Sequence, residues 1–288
     1  MLIENLCFNP DKPLILKLSM RQSITNLSYA PGSGAATRSL PSEESEGLAQ
    51  RKLALIIPTL NEAENLPPLL RHVRAVLDPL GIDYEVLVVD DNSCDGTDMI
   101  VSAIARKDER VRLLVRKGER GLSGAVLYGW RHTNAAILGV MDADLQHPPE
   151  LLPVLLSAID AGNDLAIGSR YTAGGRLGDW NPVRKLLSAA AVWVSWPIQR
   201  AGIRAKDPMS GYFLVRRECV NQIQFQPSGF KLLLEILVRG RIRSVAEVPF
   251  AFGQRYRGAS KANFEVAREY AKLLATLYAE RFGFRRRG

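Results

Sequence analysis

Cysteine is scarce. Cys7, Cys94 and Cys219 stand far apart in a chain of 288 residues, with no C-x-x-C pair. That spacing argues against a zinc site and a disulfide framework, and suits a reducing compartment. Long apolar runs are missing too. The nearest, Leu186 to Ile198, is broken by Ser188, Ser195 and Pro197, well short of the ~20 residues a spanning helix needs. The N-terminus has no basic start followed by an apolar run, so no secretory leader is expected. Two glycine signatures are also absent. Gly118-Glu119-Arg120-Gly121-Leu122-Ser123-Gly124 is neither G-x-G-x-x-G nor a P-loop. Aromatics are few, 7% of the chain, and sparse in its basic C-terminal stretch, where Tyr256, Phe264 and Tyr270 stand. A nucleic-acid platform, which interleaves aromatics with cations, is therefore not expected.

Apolar residues (47%) and charged residues (24%) are in ordinary globular proportion, in a chain long enough to bury a full core. The net charge of +8 is unevenly placed. From Arg239 onwards twelve Lys or Arg stand against four Glu, a balance that favours phosphate on lipid, nucleic acid or a small substrate.

Residues 1–50 read as a flexible extension, with Pro31-Gly32-Ser33-Gly34 and Ser39-Leu40-Pro41-Ser42 as linker. Regular alternation begins at Leu53. Strands are predicted at Leu53–Ile57, Tyr84–Val89, Val111–Val115, Ala135–Met141 and Asp164–Ser169. Helices are predicted at Asn61–Leu77, Asp95–Arg106, Leu122–Thr133 and Pro148–Ala161, with Asn61 as an N-cap. Fully apolar strands alternating with helices indicate an α/β fold, a mostly parallel central sheet flanked by helices. The second half is less regular: a helical stretch Val183–Gly202, strands Tyr212–Val215 and Ile242–Val248, and an amphipathic helix Asn263–Phe282. The domain reading is an extension (1–50), a catalytic domain (51–262) and a terminal helix with basic tail (263–288).

In such sheets ligands bind beyond the carboxyl ends of the strands. Pro58-Thr59, Asp90-Asp91, Asp142 to Asp144 and Ser169-Arg170 all follow strands and should share one rim. Asp142-Ala143-Asp144 is the most telling. Two carboxylates one residue apart on extended backbone point the same way and repel. A hard divalent cation with oxygen ligands would reconcile them, Gln146 adding an amide oxygen and a substrate phosphate completing the shell. An acidic pair can also simply cap the following helix. His147 is read as shaping the turn before Pro148. Asp91 is read as gripping a base or ribose hydroxyl. Ser169, Arg170, Arg184, Arg255 and Lys261 place cations and a hydroxyl where a phosphate clamp would lie. Leu186 to Ile203, with Trp193 and Trp196, reads equally as a core helix or as one lying on a bilayer.

Six segments in this order resemble glycosyltransferase family 2 enzymes of the GT-A fold, especially members that use polyprenyl phosphates. They are Ile57-Pro58-Thr59-Leu60-Asn61-Glu62, Val88-Val89-Asp90-Asp91-Asn92-Ser93-x-Asp95-Gly96-Thr97, Met141 to Glu150, Gly168-Ser169-Arg170-Tyr171, Ser210-Gly211-Tyr212 and Arg255-x-x-Gly258-x-Ser260-Lys261. The resemblance runs from about Leu53 to about Leu274. It implies transfer of mannose from GDP-mannose to polyprenyl or dolichyl phosphate with inversion; the alternative is a UDP-sugar-dependent glucosyl or aminoarabinosyl transfer. It implies nucleotide contacts at Pro58, Glu62, Asp91, Asp142, Ala143 and Asp144, and Mg2+ or Mn2+ on Asp142, Asp144 and Gln146. Ser169, Arg170, Arg184, Arg255 and Lys261 would hold the acceptor phosphate and diphosphate, with Asp144, Arg170 and Arg184 central to catalysis. Expected partners are the lipid, the cytoplasmic face of a membrane by peripheral contact and a separate anchoring subunit, with no nucleic acid. The family often carries an aromatic where Leu60 stands, and some members carry C-terminal membrane helices.

Overall fold

A computed structural model describes residues 53–118, 120–176, 182–225, 231–253 and 264–283, all within one compact unit. Among the described residues the strands are β1 (Leu53–Thr59), β2 (Tyr84–Asp90), β3 (Val111–Val115), β4 (Ile137–Val140), β5 (Leu165–Ser169), β6 (Phe213–Arg216) and β7 (Val245–Pro249). They form one sheet in the order β3-β2-β1-β4-β6-β5-β7. Only β6 runs antiparallel to its neighbours. All the other strands therefore end on the same rim, and β6 begins there.

The helices are α1 (Leu66–Leu77), α2 (Thr97–Ala105), α3 (Leu122–Arg131), α4 (Leu152–Asp160), α5 (Pro182–Ser195), α6 (Leu232–Arg239) and α7 (Phe264–Phe282). Strand alternation decides which helix covers which face. Leu53, Leu55 and Ile57 of β1 point into a core with α1 and α4. Ala54 and Ile56 point to the other face, against α3 and α6. Both faces of β1 and β2 are buried, which is why their sequences read as continuous apolar runs. A third cluster joins α6 to α7 through Leu234, Leu273 and Leu277, with Ile198 and Met209.

Several boundaries differ from expectation for physical reasons. Helix α1 starts at Leu66, with Pro67 and Pro68 in its first turn, where a missing N–H does no harm. Asn61 is not its cap: it adopts a left-handed backbone (φ 57°) and its side chain accepts the N–H of Cys94. Helix α2 starts at Thr97 because Asp95 accepts the Thr97 N–H. The segment after Pro148 opens with a 3-10 turn, Pro149–Leu151, before α4. Helix α6 went unanticipated, being only eight residues long.

Candidate active site

Two loops make one wall of the rim. Asn61 N–H donates to Ser93 Oγ (2.7 Å), Glu62 N–H to Thr97 Oγ1 and Ala63 N–H to Asp95. The loop after β1 is thereby fixed to the loop after β2, where the Asp91 N–H donates to Thr59 O. The two aspartates ending β2 have different work. Asp90 is fully committed, accepting from Thr59 Oγ1, Ser93 N–H and Ser93 Oγ. Asp91 is buried below Gly121, whose N–H it accepts at 2.8 Å, and pairs with buried Arg116 at 3.3 Å. Burial raises the Asp91 pKa, opposed by the Gly121 N–H and the Arg116 charge.

The carboxylate pair follows β4. Asp144 is buried and accepts the N–H of Gln146 (3.1 Å). Leu145, between them, is left-handed (φ 62°), a conformation a branched residue adopts at a cost of about 1–2 kcal/mol. The side-chain amide nitrogen of Gln146 donates to Gly253 O. Asp142 is one-third exposed, and Gly211 is its floor. A Cβ on Gly211 would lie 3.1 and 3.2 Å from the two Asp142 oxygens. The loop after β4 thus carries two carboxylates and an amide within five residues, all oxygen chemistry, with Gly211 leaving room beside Asp142. These residues fit a hard divalent cation. Gly211→Ala is expected to weaken metal-dependent nucleotide binding roughly tenfold with little change in melting temperature, as calorimetry would read.

His147 positions this loop. Its ring is buried between Tyr212 (5.0 Å, stacked) and the edges of Phe250 and Phe252. Its Nδ1 accepts the Asp142 N–H, so the ring is neutral with its proton on Nε2. Burial lowers its pKa to about 4, against the attraction of Asp144. Between its ordinary 6.5 and about 4 the unfolded chain binds one proton more than the folded one. Stability therefore falls as pH drops through that window, by about 3 kcal/mol. Urea titration of metal-free protein should show this loss, and His147→Asn, whose amide oxygen can replace Nδ1, should flatten it.

Beyond β5 the chain clamps an arginine. Arg170 donates from its backbone N–H, Nε and Nη2 to Asp207 (3.0, 2.8 and 2.8 Å), and its guanidinium lies 5.4 Å from the Phe252 ring centre. Asp207 is wholly buried and its own N–H is held by Glu247 of β7. Ser169 differs from expectation. It is fully buried and its hydroxyl accepts the Tyr171 N–H, so it braces the Arg170 loop and does not line the rim. Arg184 falls in the first turn of α5, where side chains are not described; Arg255 and Lys261 lie outside the described residues.

Three residues were missed by sequence reasoning. Asp207 and Arg116 act through partners distant in sequence. Lys231, half-buried immediately before α6, feels Arg170, Asp142 and Asp207, and burial lowers its pKa. Its one sequence signal is a lysine heading the apolar run Leu232-Leu233-Leu234. A separate cluster, Asp164, Glu218 and Cys219, sits at the opposite end of the sheet, and Asp164 there already accepts the Arg243 N–H.

A mostly parallel sheet covered by helices on both faces, with a carboxylate-rich loop and a clamped arginine after its strands, is the architecture of a GT-A-type transferase. Residues 54–234 match the glycosyl transferase family 2 model, and the chain belongs to that family. It is 45% identical over 222 residues to a dolichol-phosphate mannosyltransferase of Pyrococcus furiosus, covering 77% of this chain and 62% of that longer protein. It is 37% identical to the Saccharomyces cerevisiae dolichol-phosphate mannosyltransferase (80% and 88% covered). With the polyprenol monophosphomannose synthase of Mycolicibacterium smegmatis the identity is 36% (80% and 91% covered). Among solved structures, glucosyl-3-phosphoglycerate synthase of Mycobacterium tuberculosis, in complex with Mn2+, UDP-glucose and phosphoglyceric acid, shares the fold. The TM-score is 0.59 at 19% identity, with 86% of each chain covered.

Proposed function

We propose that this chain transfers mannose from GDP-mannose to a polyprenyl or dolichyl phosphate, with inversion, releasing GDP. The observation that supports the reading is that Arg170, nearly buried against Asp207, feels the charge of Asp142 at the head of the Asp142-x-Asp144-x-Gln146 loop, in a chain 36–45% identical to enzymes named for this activity.

The chemistry follows from charge. A phosphate monoester has its second pKa near 6 and is largely a dianion at pH 7. Its oxygen attacks the anomeric carbon directly, the bond from that carbon to the diphosphate breaks, and its electron pair leaves with GDP. No proton moves, so no general base is needed. The obstacle is repulsion between acceptor and diphosphate: two unit charges ~4 Å apart cost about 4 kcal/mol at an effective dielectric near 20.

Asp142, Asp144 and Gln146 would hold Mg2+ or Mn2+, which supplies charge neutralisation of the leaving diphosphate. Pro58, Glu62, Asp91 and Ala143 shape the nucleotide seat. Asp207 fixes Arg170 in one orientation through Nε and Nη2, so that its planar fork meets a phosphate already aligned. Arg184, Arg255 and Lys261 join it by resemblance, and Lys231 adds a cation from the start of α6. The lipid acceptor implies peripheral work at the cytoplasmic face of its membrane; no helix among the described residues is long and apolar enough to cross one. Incubation with polyprenyl phosphate, Mg2+ and either GDP-mannose or UDP-glucose, followed by mass spectrometry of the lipid, tests the reading. A hexosyl lipid from GDP-mannose alone is expected. Product from UDP-glucose alone would overturn it.

A further inference from the structure

Gly121, at the head of α3, takes no part in the chemistry above, yet both of its backbone groups are held by one ion pair. Its N–H donates to Asp91 Oδ2 at 2.8 Å, and its carbonyl accepts Arg116 Nη1 at 3.2 Å. The same carbonyl accepts the Ala125 N–H, the bond that opens α3. Gly121 sits at φ 133°, a setting that favours glycine. Asp91 Oδ1 lies 3.3 Å from Arg116 Nη1, so carboxylate, guanidinium and glycine close a ring.

The ring lies on the rim. The Asp91 N–H donates to Thr59 O (3.0 Å) and the Arg116 N–H to Asp90 O (2.8 Å), which pins both residues one position beyond β2 and β3. Ligands of such sheets bind there. Asp91 and Arg116 are both buried. A buried ion pair adds little to stability, because desolvation costs about what attraction returns; its better-attested use is to fix one arrangement. Asp91 Oδ1 is buried and accepts no hydrogen bond. That leaves an acceptor position for an N–H or O–H donor of a ligand, and a nucleotide carries such donors on base and ribose.

We propose that Arg116 is a positioning residue for the donor nucleotide: it holds the Asp91 carboxylate and the Gly121 turn in the one arrangement that the nucleotide meets. The inference rests on the proposed nucleotide-sugar donor for its purpose, and its test needs no turnover.

The charged groups facing the Asp91 carboxylate are Asp90 beside it, Arg116 after β3 and Arg120 in the turn before α3. Burial and Asp90 favour the neutral carboxyl; the Gly121 N–H, Arg116 and Arg120 favour the charged form. Without Arg116, Asp91 takes up its proton at higher pH, and a protonated carboxyl loses its grip on donors.

The experiment is calorimetric titration of the full chain with GDP-mannose and Mg2+ between about pH 6 and about pH 8. Wild-type affinity should stay within about twofold across this range. Arg116→Met should bind about tenfold more weakly at the acid end than at the alkaline end, one pKa unit being a factor of ten. Arg116→Lys, which keeps the charge, should restore the flat profile. Asp91→Asn should bind weakly at every pH, and adding Arg116→Met to it should cost less than about twofold more, because the two residues act as one unit. A loss in Arg116→Met that is equal at every pH, or that adds in full to the loss in Asp91→Asn, would overturn the proposal. So would a variant that melts earlier but binds GDP-mannose like wild type, the behaviour of a pair serving the fold alone. Should Arg116→Met fail to fold, Arg116→Gln decides in its place: its amide can still donate to Gly121 O, and a flat profile would sink the idea. If UDP-glucose binds and GDP-mannose does not, the function proposed above falls, and the same pH comparison on UDP-glucose still decides the role of Arg116.

Discussion

Asp144→Asn is expected to lower kcat/KM for transfer by about a thousandfold. One unit charge removed at ~4 Å from a cation is worth about 4 kcal/mol at an effective dielectric near 20, and that converts to about three decades in rate. The substitution is close to isosteric, and an Asn oxygen can still accept the Gln146 N–H that Asp144 holds. The Leu145 turn should therefore survive, and the melting temperature should move by no more than a few degrees. Calorimetry with GDP and Mg2+ should show loss of metal-dependent affinity in parallel with activity. Turnover within tenfold of wild type would remove Asp144 from the ligand set. If affinity and thermal stability fell together, the residue would be holding the loop together and not a cation.

The rim was legible in the sequence because topology does most of the placing. Once apolar strands alternate with helices, residues following Ile57, Val89, Met141 and Ser169 must come to the same edge. Asp142 and Asp144 stood out because a carboxylate pair after a buried strand calls for a positive partner. What stayed hidden was whatever depends on a partner far along the chain. Asp91 was visible, but the buried Arg116 beside it was not. Arg170 was visible as a cation on a loop, but the carboxylate that clamps it lies 37 residues away. The start of α1 was misplaced because Asn61 forms its bonds across to Ser93 and Cys94, which a capping rule cannot see. The turn-shaping role of His147 was legible from Pro148; its acceptor bond to the Asp142 N–H was not.

Asp207→Ala is expected to be the most damaging single change outside the metal cradle. Asp207 is wholly buried and Arg170 nearly so, and breaking such a pair by removing one partner costs about 3–5 kcal/mol, because the remaining charge loses its compensation. In a chain of this size that is a fall in melting temperature of roughly 10 °C. Activity should fall as well, but low activity in an unstable variant proves little. The discriminating variant is the double replacement Arg170→Met, Asp207→Leu, which leaves no buried charge of this pair behind and should recover most of the lost stability. If Arg170 serves the acceptor phosphate, this restored protein should still show a greatly raised KM for polyprenyl phosphate while binding GDP and Mg2+ almost normally. If its transfer activity recovered together with its stability, the guanidinium would be a strut of the fold, and the phosphate clamp would have to be built from Arg184, Lys231 and the basic residues beyond Gly253.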